Sequence, residues 1–381
     1  MAMLTHPVAY NIEDSNIALL GSDLEKHVRE HASDTESQWT SVRLDEPDSV
    51  HIWRIEHFHV IPWPRERYGS FYDGDSYIIL HTYKVAPDSV TFSYDLHFWL
   101  GANTTQDEAG TAAYKTVELD DHLLGVPVQY REVQGHESQR FLSYFPRFVC
   151  LHGGVSSGFH HIVDRPPLNV HKLYRISSSH HALRVHEVPA EARSLVAGDT
   201  YVLDKGAHVL QFNCKTSSGV EKFKAAEFVR QIVDGREGKC ELSVYDEGGP
   251  GAGIFLSQFG EGTGLRAAPE RPAISGTVML TIYRVSDASG RLLFEPADRL
   301  ESADAFVVDA SKSEVPMVYT WIGRDASLNE RRLALQYAQN FLYAHRSDAV
   351  AVPIVRVNEG HEPNTFKALS LIRQLDSSGL V

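Results

Sequence analysis

Two kinds of carboxylate recur in this chain where oxygen ligands could gather around a hard cation. Asp75, Asp199 and Asp304 each follow a small residue (Gly74, Gly198, Ala303) and open an aromatic–aliphatic run: GDSYIIL, GDTYVLD and ADAFVVD. Glu108, Glu221 and Glu330 each stand three residues after a Thr or Ser, in Thr105–Glu108, Ser218–Glu221 and Ser327–Glu330. Asp75 and Glu108 lie 33 positions apart, one at a strand start and the other at a helix start. Ca²⁺ takes six to eight oxygens from carboxylates, backbone carbonyls and water. An Asp, a Glu and nearby carbonyls would supply most of that number. The same glutamates are equally well explained as capping-box residues that satisfy backbone donors, so the residues alone leave both readings open. A third pattern, Gly154-Val155-Ser156-Ser157-Gly158, matches the nucleophile elbow G-x-S-x-G. A hydrolase built on Ser156 needs a helix directly afterwards, and FHHIVDRPP, with Pro166 and Pro167, cannot supply one.

The elements that carry these residues repeat three times. Each copy begins with an aromatic-Arg-aliphatic strand: Trp53-Arg54-Ile55, Tyr174-Arg175-Ile176 and Tyr283-Arg284-Val285. The Asp-led strand follows, then a third strand (LHFWLG, HVLQFN, MVYTWIG), a capped helix, and a closing strand (VPVQYREV, CELSVYDE, VPIVRVNE). Short apolar runs rich in β-branched and aromatic residues read as buried strands. The repeats are domain-sized, and strands mixed with one long helix per unit predict a sheet covered by helices. The expected fold class is α/β (α+β), in three tandem domains, each a central mixed β-sheet flanked by one long and one short helix. Residues 1–36 read as an N-terminal arm, 37–165, 166–262 and 277–381 as the three domains, and the Gly- and Pro-bearing 263–276 as a linker.

The stretch Thr104 to Gly125 predicts the first long helix, opened by its capping box and stopped at Gly125. Ala109, Ala112, Ala113, Thr116, Leu119, Asp120 and Leu123 share one stripe. The opposite stripe holds Gly110, Tyr114, Val117, Glu118 and Asp121. A solvated face has no need of Tyr and Val one turn apart, so that face either packs inside or is offered to a partner's groove.

A net charge of −14 over 381 residues argues against nucleic acid or an anionic membrane as the main partner. Three cysteines in a chain this long fit a reducing compartment. No apolar run is long enough to span a bilayer, and the N-terminus lacks signal-peptide architecture. A cytoplasmic location is expected.

The strings YGSFYDGDSYIILHTYK, TTQDEAGTAAYKTVELDD, GGVSSGF and TWIGRDASLNERR resemble the gelsolin superfamily, specifically its three-domain severin and fragmin type, and the resemblance covers essentially the whole chain. It implies a cytoskeletal protein that performs no covalent chemistry but severs actin filaments, caps barbed ends and nucleates assembly under Ca²⁺ control; capping without severing is the alternative. It implies a first-domain Ca²⁺ site from Gly74, Asp75, Glu108 and the Val155 carbonyl. A second site, shared with actin, would use Asp120 with the carbonyls of Gly125 and Pro127. Gly198, Asp199 and Glu221 match in the second domain, where no Asp stands near Ala273 to complete the set, and Ala303, Asp304 and Glu330 match in the third. Tyr114 and Val117, with Glu118 and Asp121 beside them, would form the helix face that enters actin's cleft. Relatives bind phosphoinositides through basic clusters, but here Arg147, Lys172, Arg175 and Arg184 are sparse and interspersed with histidines, which charge near pH 6.5. Any such binding is expected to be weak or pH-dependent.

Overall fold

The computed structural model describes residues 36–40, 42, 48–84, 91–154, 170–179, 182–236, 239–267, 280–286, 293–313, 316–346, 352–367 and 369. The first unit comprises α1 (Ser37–Thr40), β1 (Ser49–Glu56), β2 (His59–Pro62), β3 (Ser70–Tyr72), β4 (Ser76–Tyr83), β5 (Ser93–Leu100), α2 (Gln106–His122), β6 (Val128–Val133), α3 (Gln139–Ser143) and β7 (Phe148–Leu151). The second contains β8 (Lys172–Ser179), β9 (Ala182–Val188), β10 (Thr200–Asp204), β11 (His208–Asn213), α4 (Gly219–Asp234), β12 (Glu241–Asp246) and α5 (Ala252–Leu256). The third contains β13 (Thr281–Ser286), β14 (Leu293–Ala297), β15 (Ala305–Ala310), β16 (Met317–Ile322), α6 (Leu328–His345) and β17 (Ile354–Asn358).

Each long helix bridges a parallel pair: α2 joins β5 to β6, α4 joins β11 to β12, and α6 joins β16 to β17. Parallel neighbours require such a crossover, because a tight turn cannot reverse the chain twice. All three capping boxes predicted from sequence form, with Thr105, Ser218 and Ser327 accepting from the N3 backbone and Glu108, Glu221 and Glu330 reaching back.

The sheets are not three separate ones. β6 pairs antiparallel with β17 (Ile354↔Arg131, Val355↔Tyr130, Arg356↔Gln129), fusing the first and third units into a ten-stranded sheet. β3 and β7 leave the first unit for the edge of a seven-stranded sheet with β8–β12, where β7 runs parallel to β9. The second unit's sheet therefore includes chain from within 37–165.

The stripe of α2 meets the sheet as its spacing predicts: Ala112, Leu119 and Leu123 are buried in one cluster with Ile78, Leu80, Leu96 and Phe98. Tyr114 and Val117 are half-buried and lie outside that cluster. Glu118 departs from the sequence reading. Expected beside Tyr114 and Val117 on the actin-facing stripe, it is fully buried, accepting from the Trp39 indole at 2.9 Å and from Lys115 at 3.0 Å. Trp39 itself is buried edge-on against Trp53, with ring centroids 5.2 Å apart. The helix periodicity could not foresee this, because the cover comes from α1.

Replacing Trp39 by Ala is expected to destabilise the first unit by roughly 3–5 kcal/mol, through the cavity and the lost partner of a buried carboxylate. Urea denaturation measures it. Trp39→Phe should recover only part of the loss, since Phe fills space but donates nothing to Glu118.

Candidate metal centres and partner face

One backbone device brings the Asp and the Glu of each unit to a common edge. The carbonyl of Asp75 accepts from Gly101 N at 3.0 Å, that of Asp199 from Cys214 N at 3.2 Å, and that of Asp304 from Gly323 N at 3.1 Å. The donor in each case ends the third strand and leads within a few residues into the capping box. Gly101 and Gly323 have no alternative there: an added Cβ would lie 2.2 Å from Asp73 O and 2.3 Å from Ser302 O. In the first unit a hydroxyl chain completes the link. Ser76 Oγ meets Thr104 Oγ1 at 2.8 Å, and Thr104 donates to Glu108 Oε2 at 3.3 Å.

Asp75 is completely buried. Its Oδ2 accepts from Arg54 at 3.3 Å and from the Tyr77 hydroxyl at 3.2 Å. A Cβ added at Gly154, whose φ is +153°, would sit 2.5 Å from Asp75 Oδ1, and one added at Gly74 would sit 2.5 Å from Gly153 O. This glycine cradle keeps carboxylate and carbonyl oxygens close, with no side chain between them. Val155, the remaining member of the predicted set, lies outside the described residues, as does Ser156. Among the described residues no three His, Cys, Asp or Glu side chains gather as a metal cluster. Any ion here must draw on carbonyls, and a buried Asp in an oxygen-lined glycine cradle suits a hard cation.

The counterparts follow the same plan. Glu221 Oε2 accepts from Ser218 N at 2.7 Å and Glu330 Oε2 from Ser327 N at 2.8 Å. The repeat arginine faces the Asp each time: Arg175–Asp199 is 2.5 Å and Arg284–Asp304 is 3.6 Å.

At the other end of α2, Asp120 is buried beneath the third unit. Its Oδ2 pairs with Arg356 of β17 at 3.4 Å, while Oδ1 is buried with no hydrogen-bond partner. Burial pushes this carboxyl up to about 6; Arg356 pulls the value down and Asp121 raises it further. The Gly125 carbonyl accepts from Asn358 Nδ2 at 2.9 Å, and Pro127 is buried alongside. Two of the three residues expected to hold a shared ion are therefore engaged by β17, and the orphaned oxygen of Asp120 is an acceptor suited to a cation.

Apolar features that the sequence reading missed stand out at the surface. Leu124, beside Gly125, is 88% exposed in a left-handed conformation with φ +60°. Phe58 is 60% exposed at the β1–β2 turn, where both His57 (φ +48°) and Phe58 (φ +67°) are left-handed. The β1–β2 hairpin turn takes positive φ at both of its central residues, and Leu124 closes α2 in a Schellman cap, donating to the Asp121 carbonyl at 3.0 Å while Gly125 donates to that of Asp120 at 2.9 Å. On α4, Val220 and Phe223 are 63% and 62% exposed. Only the positive φ, invisible in sequence, marks the first two.

The four basic residues considered for phosphoinositides are engaged internally. Arg147 stacks over Phe228 at 5.4 Å, Lys172 bonds Glu187 at 3.0 Å, Arg175 pairs with Asp199, and Arg184 donates to the Glu137 carbonyl at 3.1 Å. Histidine charge adds no simple remedy, because burial pushes neighbouring His186 down to about 4.

Gly154→Ala is expected to cost about 1–3 kcal/mol in chemical denaturation, from strain and displacement of Asp75. Gly110→Ala, at an open helical position, should instead stabilise by about 0.4–1 kcal/mol.

The gelsolin-repeat family pattern matches residues 59–142 and 297–367. Gelsolin-like protein 1 of Lumbricus terrestris is 38% identical over 83% of this chain and 85% of its own length. Actin depolymerising venom protein gelsolin 1 of Platymeris rhadamanthus is 36% identical, over 84% and 88%, and severin of Echinococcus granulosus 34%, over 93% and 96%. Repeat architecture and these matches together place the chain in the gelsolin family.

Proposed function

We propose that the chain binds actin under Ca²⁺ control, severing filaments, capping barbed ends and nucleating assembly. The observation that carries this reading is the β17 seal: Arg356 and Asn358 engage Asp120 and the Gly125 carbonyl at the end of α2. A side-chain cation and an amide donor stand where the resemblance puts an ion shared with actin. The name of the related venom protein, actin depolymerising, supports actin as the partner.

In this reading Tyr114, Val117 and Asp121 of α2 form the principal contact, flanked by Leu124 and Phe58, and Glu118 supports the helix from inside through Trp39. Val220 and Phe223 give the second unit an apolar contact of its own, suited to the filament side. Ca²⁺ supplies a compact divalent charge to the Asp75, Asp199 and Asp304 edges. This chain's residues do the rest: the Glu108, Glu221 and Glu330 carboxylates turn toward those edges without leaving their helix caps, and separation of β6 from β17 bares Asp120 and Gly125.

Tyr114→Ala with Val117→Ala is expected to weaken actin binding by roughly 2 kcal/mol or more, about thirtyfold, while the melting temperature moves little. A collapsed melting temperature with unchanged actin affinity in the folded fraction would show that both side chains serve the core.

Arg356→Ala is expected to open the β6–β17 seam, since removing one partner of a buried pair costs about 3–5 kcal/mol. Small-angle scattering should show a larger radius of gyration, and actin binding in EGTA should rise. Unchanged scattering and unchanged EGTA binding would remove the seal from the account.

Glu108→Gln keeps the cap geometry and deletes the charge. It should leave helix stability intact and weaken Ca²⁺ binding in calorimetric titration; unaltered stoichiometry and affinity would reduce Glu108 to a cap.

A further inference from the structure

The three site aspartates are not bare. Each faces the arginine of the preceding strand, and the register is the same every time: Arg54 lies opposite Tyr77, Arg175 opposite Tyr201 and Arg284 opposite Phe306, each two residues beyond the Asp. The aromatic-Arg-aliphatic pattern thus places a guanidinium on the site carboxylate in every unit. What differs is where else that guanidinium can go. Arg54 also bonds Glu56, two residues along its own strand, through Nε at 2.7 Å. Arg284 also bonds Glu295, directly across the β13–β14 hairpin, at 2.8 Å. Arg175 has no such refuge. Its hairpin partner is His186, the residue two along is Ser177, and among the described residues its acidic partner is Asp199.

We propose that Arg54, Arg175 and Arg284 are resident counter-cations that Ca²⁺ must displace, and that the second unit loads last because Arg175, among the described residues, lacks a second carboxylate to receive it. The inference rests on the calcium reading above and adds the positioning residues that grade it. A guanidinium and a divalent ion compete for one carboxylate oxygen. Displacement costs little where the guanidinium keeps a charge-assisted bond to another acid, and more where it must trade its ion pair for water. Glu56 and Glu295 therefore ease exchange in the outer units, and the single Arg175–Asp199 contact resists it in the middle one.

Calorimetric Ca²⁺ titration of the full chain tests this, with the second-unit site identified as the one lost in Asp199→Asn. Arg175→Gln should tighten that site about tenfold, or ~1.4 kcal/mol, and should lower the melting temperature in EGTA but not in Ca²⁺. Ser177→Glu copies the Arg54–Glu56 arrangement while retaining Arg175, and should also tighten the site about tenfold. It keeps the test intact if Arg175→Gln folds poorly. Arg54→Gln and Arg284→Gln should change their own sites by less than about threefold. If the wild type binds Ca²⁺ but Ser177→Glu leaves the second-unit affinity unchanged or weaker, the counter-cation inference is overturned while the calcium reading stands. A wild type that takes up no Ca²⁺ at any site overturns both.

Discussion

Pairing of β6 with β17 is the contact on which the arrangement of the whole molecule depends. Without it each strand would be the exposed edge of its unit's sheet, a row of unpaired amides open to any extended partner. With it both edges close at once, and Val128 and Tyr130 join Val355, Val357 and Phe366 in one apolar cluster. Electrostatics oppose what packing favours. The seam buries Asp120 with one oxygen unpartnered and a carboxyl raised to about 6. An imperfectly paired buried charge costs several kcal/mol before its partner repays any of it. The closed sheet is thus held by apolar and backbone contacts against a built-in charge penalty, and a cation that stabilised Asp120 elsewhere would find part of the opening work already done.

Three copies of one backbone device do not make three equal sites. The return of each third strand to its Asp carbonyl sets the same edge geometry in every unit. The surroundings diverge. Asp75 is sunk in a glycine cradle and shares Tyr77 with Arg54; Asp199 is held by Arg175 at 2.5 Å; Asp304 sees Arg284 at 3.6 Å, with Glu295 drawing the guanidinium away. Repeat symmetry fixes which residues meet, and the neighbours on the first hairpin fix how tightly.

Much of this was readable from local pattern. Capping boxes, Asp-led strands and the inward stripe of α2 are consequences of spacing within a dozen residues, and they form where spacing places them. Most of what was missed involves distant chain. Glu118 was read as part of the actin-facing stripe because its cover, Trp39, lies on another element. That Asp120 pairs with Arg356 was not readable, because the two lie 236 positions apart. The joining of the sheets was not readable either, because nothing in the composition of β3, β6, β7 or β17 says which edge will adopt them. Phe58 and Leu124 escaped notice because side-chain identity does not reveal a left-handed backbone.

The two candidate ion positions of the first unit sit at opposite ends of one rod. α2 is 17 residues long, roughly 25 Å at 1.5 Å per residue. Its N-terminus holds Glu108, where the helix dipole favours negative charge and the capping box fixes the side chain. Its C-terminus holds Asp120, where the dipole disfavours the same charge and burial compounds the penalty. The first acid is stable without a metal; the second is tolerated only beside a cation, which in this sheet is Arg356. The asymmetry assigns the ends different work. The Asp75–Glu108 edge can gain an ion without rearranging the helix, whereas the Asp120 end can exchange Arg356 for another cation only by parting β6 from β17. On the proposed reading, control of the partner face resides at the C-terminal end of the helix, where charge and packing are already opposed.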